Sequence, residues 1–184
     1  LCSLALVLAA AMQLAPSTAV AATFPSKPNR AHFFVDEAGM IQDADAQSID
    51  QIASGLLREQ QVALIVVTIP SLVEHQASGH SIEQYARELF NAWGIGNAAR
   101  NDGILILVAR DDREMRLELG ASYHQGYDVL AQDLVNADFL PDFRDGNYGA
   151  GIEKGSLAVI ARIARPHAAG QAPTPSTASG GGLN

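Results

Sequence analysis

The chain has 184 residues, a formal net charge of −8 and a pI near 4.9. This length suits one domain of ordinary size. The acidic balance argues against a nucleic-acid partner and against a domain that adheres to membranes through basic residues, because both need a positive surface. Among charged partners, cations are therefore favoured.

Residues 1–21 have the pattern of a secretory signal peptide, in which an apolar run ends in small residues and cleavage is predicted after Ala21. The run contains Pro16 and falls short of the roughly 20 apolar residues that cross a bilayer. Export to the periplasm or medium is favoured over an uncleaved anchor. The signal is expected to be truncated at its start, since it has neither an initiator Met nor a basic leader.

The only cysteine, Cys2, lies inside this predicted signal. The mature protein is therefore expected to have no disulfide partner and no thiol chemistry.

The predicted domain covers residues 22–165 and starts with a short strand in AHFFVDEAGM that ends at Asp36. An apolar stripe with helical spacing then predicts a helix over residues 44–60, with Asp43 as its N-cap. The run VALIVVTIP, at 62–70, is continuously apolar and β-branched. Such a run is typical of a strand that is buried on both faces.

Ser81 and Gln84 have the spacing of a capping box, and the apolar stripe behind them predicts a second helix that Gly94 ends. GILILVA predicts another buried strand, and EMRLELG predicts a strand with one wet face. The acidic turn between these two strands is so short that they are expected to form an antiparallel hairpin.

Two further helices are predicted, one over residues 127–139 and one whose apolar face includes Tyr148 and Ile163, with a break at Pro141 between them. The order β, α, β, α, β, β, α, α predicts a three-layer α/β/α sandwich, with a mixed sheet of about four strands flanked by helices. Residues 166–184 are rich in Pro, Ala, Ser and Gly and predict a flexible tail.

No sequence motif identifies a catalytic residue. The chain has no nucleophile elbow, no phosphate-binding glycine loop before a lysine, no paired-histidine zinc motif and no dinucleotide fingerprint. Its histidines are scattered without ligand spacing, which favours solvated or structural roles.

Five aspartates lie in predicted loops or at helix starts beside the sheet: Asp36, Asp102, Asp111, Asp112 and Asp128. Loop carboxylates on a rigid sheet are the hard oxygen ligands that Ca²⁺ or Mg²⁺ prefers. They predict a divalent-cation site. Simpler interpretations are also open, since Asp102 suits a turn, the Asp111–Asp112 pair suits a hairpin tip and Asp128 suits a helix cap.

Several segments carry a family resemblance: FFVDEAGMI, ALIVVTIPSL, SIEQYARELFNAWGIG, NDGILILVARDDREMRLELG and FLPDFRDGNYGAGI. In this order they resemble the TPM domain, the family of thylakoid lumen acid phosphatase-like and photosystem repair proteins and their bacterial relatives. The Trp-Gly-Ile-Gly stretch, the Asp-Gly before the third strand and the Phe-Arg-x-Gly-x-Tyr signature occur together at family spacing. The chain departs from the family at GASYHQGYD, where members usually have a Gly-x-Gly stretch.

The resemblance implies an α/β/α domain of an exported or organelle-lumen protein that acts near membrane protein complexes. Acid phosphatase activity and calcium binding are attributed to some members. It implies functional positions at Asp36, Asp102 and Asp128.

Three functions follow from these observations. The first is an exported accessory module that binds a divalent cation and a membrane protein partner. The second is a metal-dependent acid phosphatase that hydrolyses phosphomonoesters. The third is a structural domain whose acids bind nothing. In the first two, if Asp36 and Asp102 converge, the glycines of WGIGNAARNDG let the backbone wrap around the ion, with carbonyls completing the shell.

Overall fold

The structure is a computed structural model that describes residues 21–29, 31–124 and 126–173. The predicted signal peptide lies outside the described residues except for Ala21, as do residues 174–184 of the predicted tail. Within the described ranges, no helix combines the length and apolar character of a membrane crossing.

The described chain alternates strands and helices before ending in a helical region. The strands are β1 (Phe34–Asp36), β2 (Leu64–Ile69), β3 (Ile104–Ala109) and β4 (Glu114–Leu119). The α-helices are α1 (Asp43–Gln60), α2 (Ile82–Trp93), α3 (Gly126–Leu134), α4 (Leu140–Arg144), α5 (Tyr148–Val159) and α6 (Arg165–Ala168). Two π-helical segments, Val135–Phe139 and Ile160–Ala164, join α3 to α4 and α5 to α6.

The four strands form one mixed sheet in the order β1-β2-β3-β4. The first three strands are parallel, with Val66 of β2 opposite Phe34 of β1 and Ile106 of β3. β4 runs antiparallel to β3 and places Leu117 opposite Ile106. The predicted mixed sheet and the predicted hairpin are confirmed.

Both faces of the sheet are covered, which explains why β2 and β3 are apolar at every position except Thr68. On one face, side chains of α2 such as Tyr85 and Leu89 pack with Leu105 and Leu107 of β3. On the other face, α1, α3 and α5 form a larger core with alternate residues of the same strands, including Ile106. The predicted α/β/α sandwich is confirmed.

The N-terminal ends of the first two helices follow local chemistry. Ser81 caps α2, because its hydroxyl accepts a hydrogen bond from the Gln84 amide at 3.3 Å, and Gly94 ends the helix with a positive φ of 58°. α1 starts one residue earlier than predicted, with Gln42 as its N-cap. Asp43 instead lies in the first turn, where its charge meets the positive end of the helix dipole.

The predicted helix break at Pro141 is wrong. The helical path continues from α3 through the π-helical segment into α4, where Pro141 occupies the first turn. Proline is compatible with this position because its fixed φ of about −65° suits a helix. The last helical region also continues to Ala168, three residues beyond the predicted end of the domain at Arg165.

Gly155 lets α5 approach the sheet-facing core closely. A Cβ at this position would overlap the ring of Phe139, which is fully buried under α5. Gly55, in the interior of α1, has open space where its Cβ would lie. Both glycines are inside helices, but only Gly155 lacks room for a side chain.

We predict that Gly155→Ala lowers the free energy of unfolding by about 1–3 kcal/mol, because Phe139 has to leave its packed position. The matched variant Gly55→Ala should raise stability by up to about 1 kcal/mol through helix propensity alone. Urea unfolding of both variants measures the difference. Equal effects of the two substitutions would contradict the proposed contact.

Candidate functional site

The structure separates Asp36 from Asp102, whose convergence was the condition for a shared ion site. Asp36 ends β1 and Asp102 precedes β3, and because these strands are parallel the two residues lie at opposite ends of the sheet. A six-residue strand spans about 20 Å. Asp36 and Asp102 therefore do not converge on one ion.

The Asp36 carboxylate holds the loop between β1 and α1. It accepts hydrogen bonds from the amides of Met40 and Ile41, each at 2.9 Å, and from the Thr68 hydroxyl of β2. Backbone donors bonded to a carboxylate form strong, charge-assisted hydrogen bonds. Asp36 therefore acts as a structural acceptor where the chain leaves the sheet.

Asp102 also holds a loop through hydrogen bonds, at the opposite end of the sheet. Its side chain is buried and accepts hydrogen bonds from the Asn97 amide at 3.3 Å and from Arg100 Nε at 2.5 Å. Arg100 also donates to the Gln61 carbonyl at 2.6 Å, just after α1. This arrangement fixes the polar loop before β3, and the arginine compensates the buried charge.

The glycines of that loop are required by close packing of backbone on backbone. A Cβ on Gly96 would lie 2.5 Å from the Gly103 nitrogen, and one on Gly103 would overlap the Ile95 carbonyl. A Cβ on Gly120, in the loop after β4, would overlap the Asn101 carbonyl. The unusual glycine content of the loop thus has a packing explanation that involves no bound ion.

The other three candidate aspartates are placed separately. The Asp111 carboxylate lies 2.8 Å from Arg110 Nε, and this hydrogen bond lowers the pKa of Asp111 and raises the pKa of Arg110. Asp112 accepts a hydrogen bond from the Leu72 amide at 2.7 Å and so ties the β3–β4 turn to the loop after β2. Asp128 is exposed in the first turn of α3.

The five candidate carboxylates are not gathered in one place. No group of three or more potential metal-ligating side chains occurs among the described residues. Asp36, Asp111 and Asp112 share the carboxyl end of the parallel strands, whereas Asp102 lies at the amino end. Cation binding by any one of them stays a prediction.

A cavity of about 500 Å³ lies at the carboxyl end of β3. It is lined by Met40, Val108, Ala109, Arg110, Arg113, Glu114, Met115, Leu140, Phe143, Arg144 and Tyr148. Ligands of open α/β sheets characteristically bind beyond this end of the strands. The cavity is the candidate functional site.

The cavity combines guanidinium groups with an apolar wall. Arg110 is engaged, since it donates to Asp111 and to the Ala38 carbonyl. Arg113 and Arg144 form no ion pair with any described residue and provide positive charge to the cavity. In a chain of net charge −8, this is a local reversal of sign.

Two chain segments distant in sequence build most of the cavity, and Met40 from the loop after β1 completes its lining. Arg113 belongs to the β3–β4 turn, where its φ is 56°, and Glu114 and Met115 start β4. Phe143 and Arg144 end α4, and Tyr148 begins α5. The rings of Phe143 and Tyr148 pack with centroids 5.5 Å apart.

This site was not predicted from the sequence, because the acidic loop residues favoured a cation site elsewhere. A signal was nevertheless present, since the Phe-Arg-x-Gly-x-Tyr signature corresponds to Phe143, Arg144, Gly146 and Tyr148. Gly146 has a positive φ of 78° in the turn between α4 and α5. This turn brings the aromatic pair and Arg144 together at the cavity.

These observations can be compared with known proteins. The family model described as "TPM domain" matches residues 34–162, which is more than half of the chain. This chain belongs to the TPM domain family. Within the TPM domain, the match includes both segments that line the cavity.

Solved structures similar to this TPM domain come from several bacteria. The N-terminal domain of a P. gingivalis protein has a TM-score of 0.65 and 26% identity, covering 78% of this chain and 88% of that one. The N-terminal domain of a Corynebacterium glutamicum protein has a TM-score of 0.54 and 16% identity, with 80% and 91% covered. BA42 from the psychrophilic bacterium Bizionia argentinensis has a TM-score of 0.55 and 16% identity, with 74% and 86% covered.

The two structures at 16% identity share the fold of this chain. No curated protein matches the chain.

At the amino end of the sheet, the segment after α5 closes over the loop that departs from the family pattern. The His167 ring packs on Tyr123, with centroids 4.1 Å apart, and its Nε2 lies 3.1 Å from the Ser122 carbonyl. The Tyr123 hydroxyl donates to the Asp102 carbonyl at 3.1 Å. His167, which was predicted to lie in a flexible tail, thus contacts the domain.

We predict that Asp36→Ala and Asp102→Ala each lower the free energy of unfolding by about 2–3 kcal/mol. Each substitution leaves without an acceptor the donors that bond the carboxylate in the wild type. The loss should be the same in EDTA and in millimolar calcium, since those oxygens already have protein partners. The exposed control Asp128→Ala should lose less than about 1 kcal/mol. Thermal or urea unfolding measures all three variants.

A cation site at these residues would give a different result. Wild-type stability would then rise with calcium or magnesium, by about 2.7 kcal/mol at a hundred times the dissociation constant, and the substituted protein would lose that rise.

We predict a pH-dependent contribution from His167. Burial lowers the pKa of His167 below its ordinary value of 6.5, while the negative charge of Asp102 opposes and the positive charge of His124 adds to this shift. The unfolded chain takes up the proton first as the pH falls, so stability present above pH 6.5 is lost progressively below it. His167→Phe keeps an aromatic ring on Tyr123 and removes this titration.

Urea midpoints measured between pH 8 and pH 5 test this expectation. Wild type should lose more stability than His167→Phe as the pH falls, because the remaining histidines are common to both proteins. Parallel profiles for the two proteins would contradict it.

Proposed function

We propose that this TPM domain is an exported, non-catalytic accessory module that binds a partner at membrane protein complexes through the cavity at the carboxyl end of β3. The observation that carries the proposal is the lining of the cavity. It places two unpaired guanidinium groups beside an apolar wall, a combination suited to recognition.

The chemistry of the lining favours binding over catalysis. The residues that line the cavity include no Ser, Thr, Cys, His or Asp, and Glu114 is their only carboxylate. Covalent catalysis needs a nucleophile within reach of a base, and general acid–base catalysis needs a group positioned on the reacting atoms. A binding module needs neither group.

The proposed export and the proposed membrane partner are supported by observations other than the cavity lining. The signal-peptide pattern of residues 1–21 supports export. Action near membrane complexes is what the resemblance to other TPM domains implies. A divalent cation is a separate part of the proposal. If one binds, the carboxyl end of the sheet is the favoured place, because Asp36, Asp111 and Asp112 share that end with the cavity.

Phosphomonoester hydrolysis is the second candidate function. The guanidinium groups of Arg113 and Arg144 favour it, because positive groups stabilise the charge of a transferring phosphoryl group. It would still need an activated water, for which the cavity offers Glu114 as the one carboxylate.

We predict that a photo-crosslinking amino acid at Leu140, beside the cavity, joins the full chain to a membrane protein in cells of its source organism. The same label at Val129, which is 63% exposed on α3, serves as the control and should not capture that protein. Arg144→Ala should abolish the Leu140 product if the cavity is the contact surface. Equal labelling from both positions would contradict the assignment.

Hydrolysis of p-nitrophenyl phosphate distinguishes the second candidate. The accessory module should show no turnover with calcium, magnesium or EDTA. Turnover that needs the cation and disappears in Arg144→Ala would contradict the accessory module and support the phosphatase function.

A further inference from the structure

We infer that the cavity at the carboxyl end of β3 binds the free C-terminus of a peptide that ends in a large apolar residue. The inference rests on the proposed function and names the chemistry that the partner would present. The terminal carboxylate would face Arg113 and Arg144, and the last side chain would enter the apolar wall.

Charged and apolar residues alternate closely in the lining, so a matching ligand carries its charge and its apolar group on one residue. Arg113 is separated from Met115 by a single residue, and Arg144 directly follows Phe143. A C-terminal residue carries its carboxylate and its side chain on the same Cα atom, so it can meet both kinds of group at once. The volume of about 500 Å³ lies within the usual range for ligand pockets, roughly 300–1,000 Å³.

The net charge of the cavity matches a monoanion. Three arginines line it, but Glu114 also lines it and Arg110 is paired with Asp111. Subtracting these two carboxylates from the three guanidinium groups leaves one net positive charge. A carboxylate carries one negative charge, whereas a phosphate monoester carries about −1.5 to −2 at neutral pH.

The helix terminus beside the cavity argues against a phosphate in the same way. Phosphate sites commonly use the amides and positive dipole of a helix N-terminus. α5 begins at Tyr148, but the Asp45 carboxylate of α1 lies directly against Gly149 in its first turn. This end of α5 is therefore already next to a negative charge, and recognition falls to the arginine side chains.

Arginine is suited to this task because its planar guanidinium can donate two parallel hydrogen bonds to one carboxylate. The Tyr148 hydroxyl has no hydrogen-bond partner among the described residues and is a further donor at the cavity. The packed rings of Phe143 and Tyr148 hold this part of the cavity in place. A C-terminal amide would lose the charge on which this arrangement depends.

The test is a titration of the ¹⁵N-labelled full chain followed by NMR, with three probes. These are an acetylated tripeptide ending in phenylalanine, the same tripeptide as its C-terminal amide, and phenyl phosphate. The free acid should shift the amide signals of residues 110–115 and of the non-proline residues of 140–148. Amidation should weaken binding by roughly tenfold or more, the loss expected for removing a charge-assisted hydrogen bond.

Two variants distinguish a specific contact with a cavity arginine from the effect of removing one positive charge anywhere on the protein. Arg144→Gln should weaken the free acid by roughly tenfold or more for the same reason. Arg58→Gln is the matched control, since Arg58 is exposed in the last turn of α1 away from the cavity lining, and it should leave the affinity unchanged. Equal effects of the two variants would overturn the inference.

Three other outcomes would also overturn it: equal binding of acid and amide, tighter binding of phenyl phosphate, or no shift by any probe at millimolar concentration. Failure of the peptide while Leu140 still crosslinks a partner would remove the ligand class and keep the proposed function. Binding of the free acid without any crosslinked partner would keep the ligand class and remove the proposed function.

Discussion

The structure depends on the burial of β2 and β3 on both faces. These two parallel strands carry an apolar side chain or Thr68 at every position, so each face must be covered by helices. α2 covers one face, and α1, α3 and α5 cover the other. Since both faces are filled, the ends of the strands are where the sheet can offer a site, and the cavity lies at one of them.

The strand ends themselves are held by carboxylates that accept hydrogen bonds from the protein. Asp36 does this at the carboxyl end of β1, Asp112 in the β3–β4 turn and Asp102 before β3. Each carboxylate fixes a loop that carries chain away from the sheet. The acidic residues that drew attention in the sequence thus have a clear role in loop geometry, and the candidate site is formed mainly by basic and aromatic residues.

Much of the fold could be predicted from the sequence, because its signals are local. Two buried strands, the Ser81 cap, the Gly94 helix end and the hairpin all follow from the spacing of neighbouring residues. The site could not be predicted in the same way. The separation of Asp36 from Asp102 follows from parallel strand direction, and the meeting of Arg113 with Arg144 requires contact between segments that are distant in the chain.

The two outer strands limit how the sheet can grow. β1 has only three residues, and β4 places Glu114, Arg116 and Glu118 at alternate positions along the opposite edge. Short edge strands and charged side chains on an edge discourage pairing with a strand of another molecule. The chain therefore keeps an apolar sheet without offering a long, uncharged edge from which intermolecular β-structure could extend.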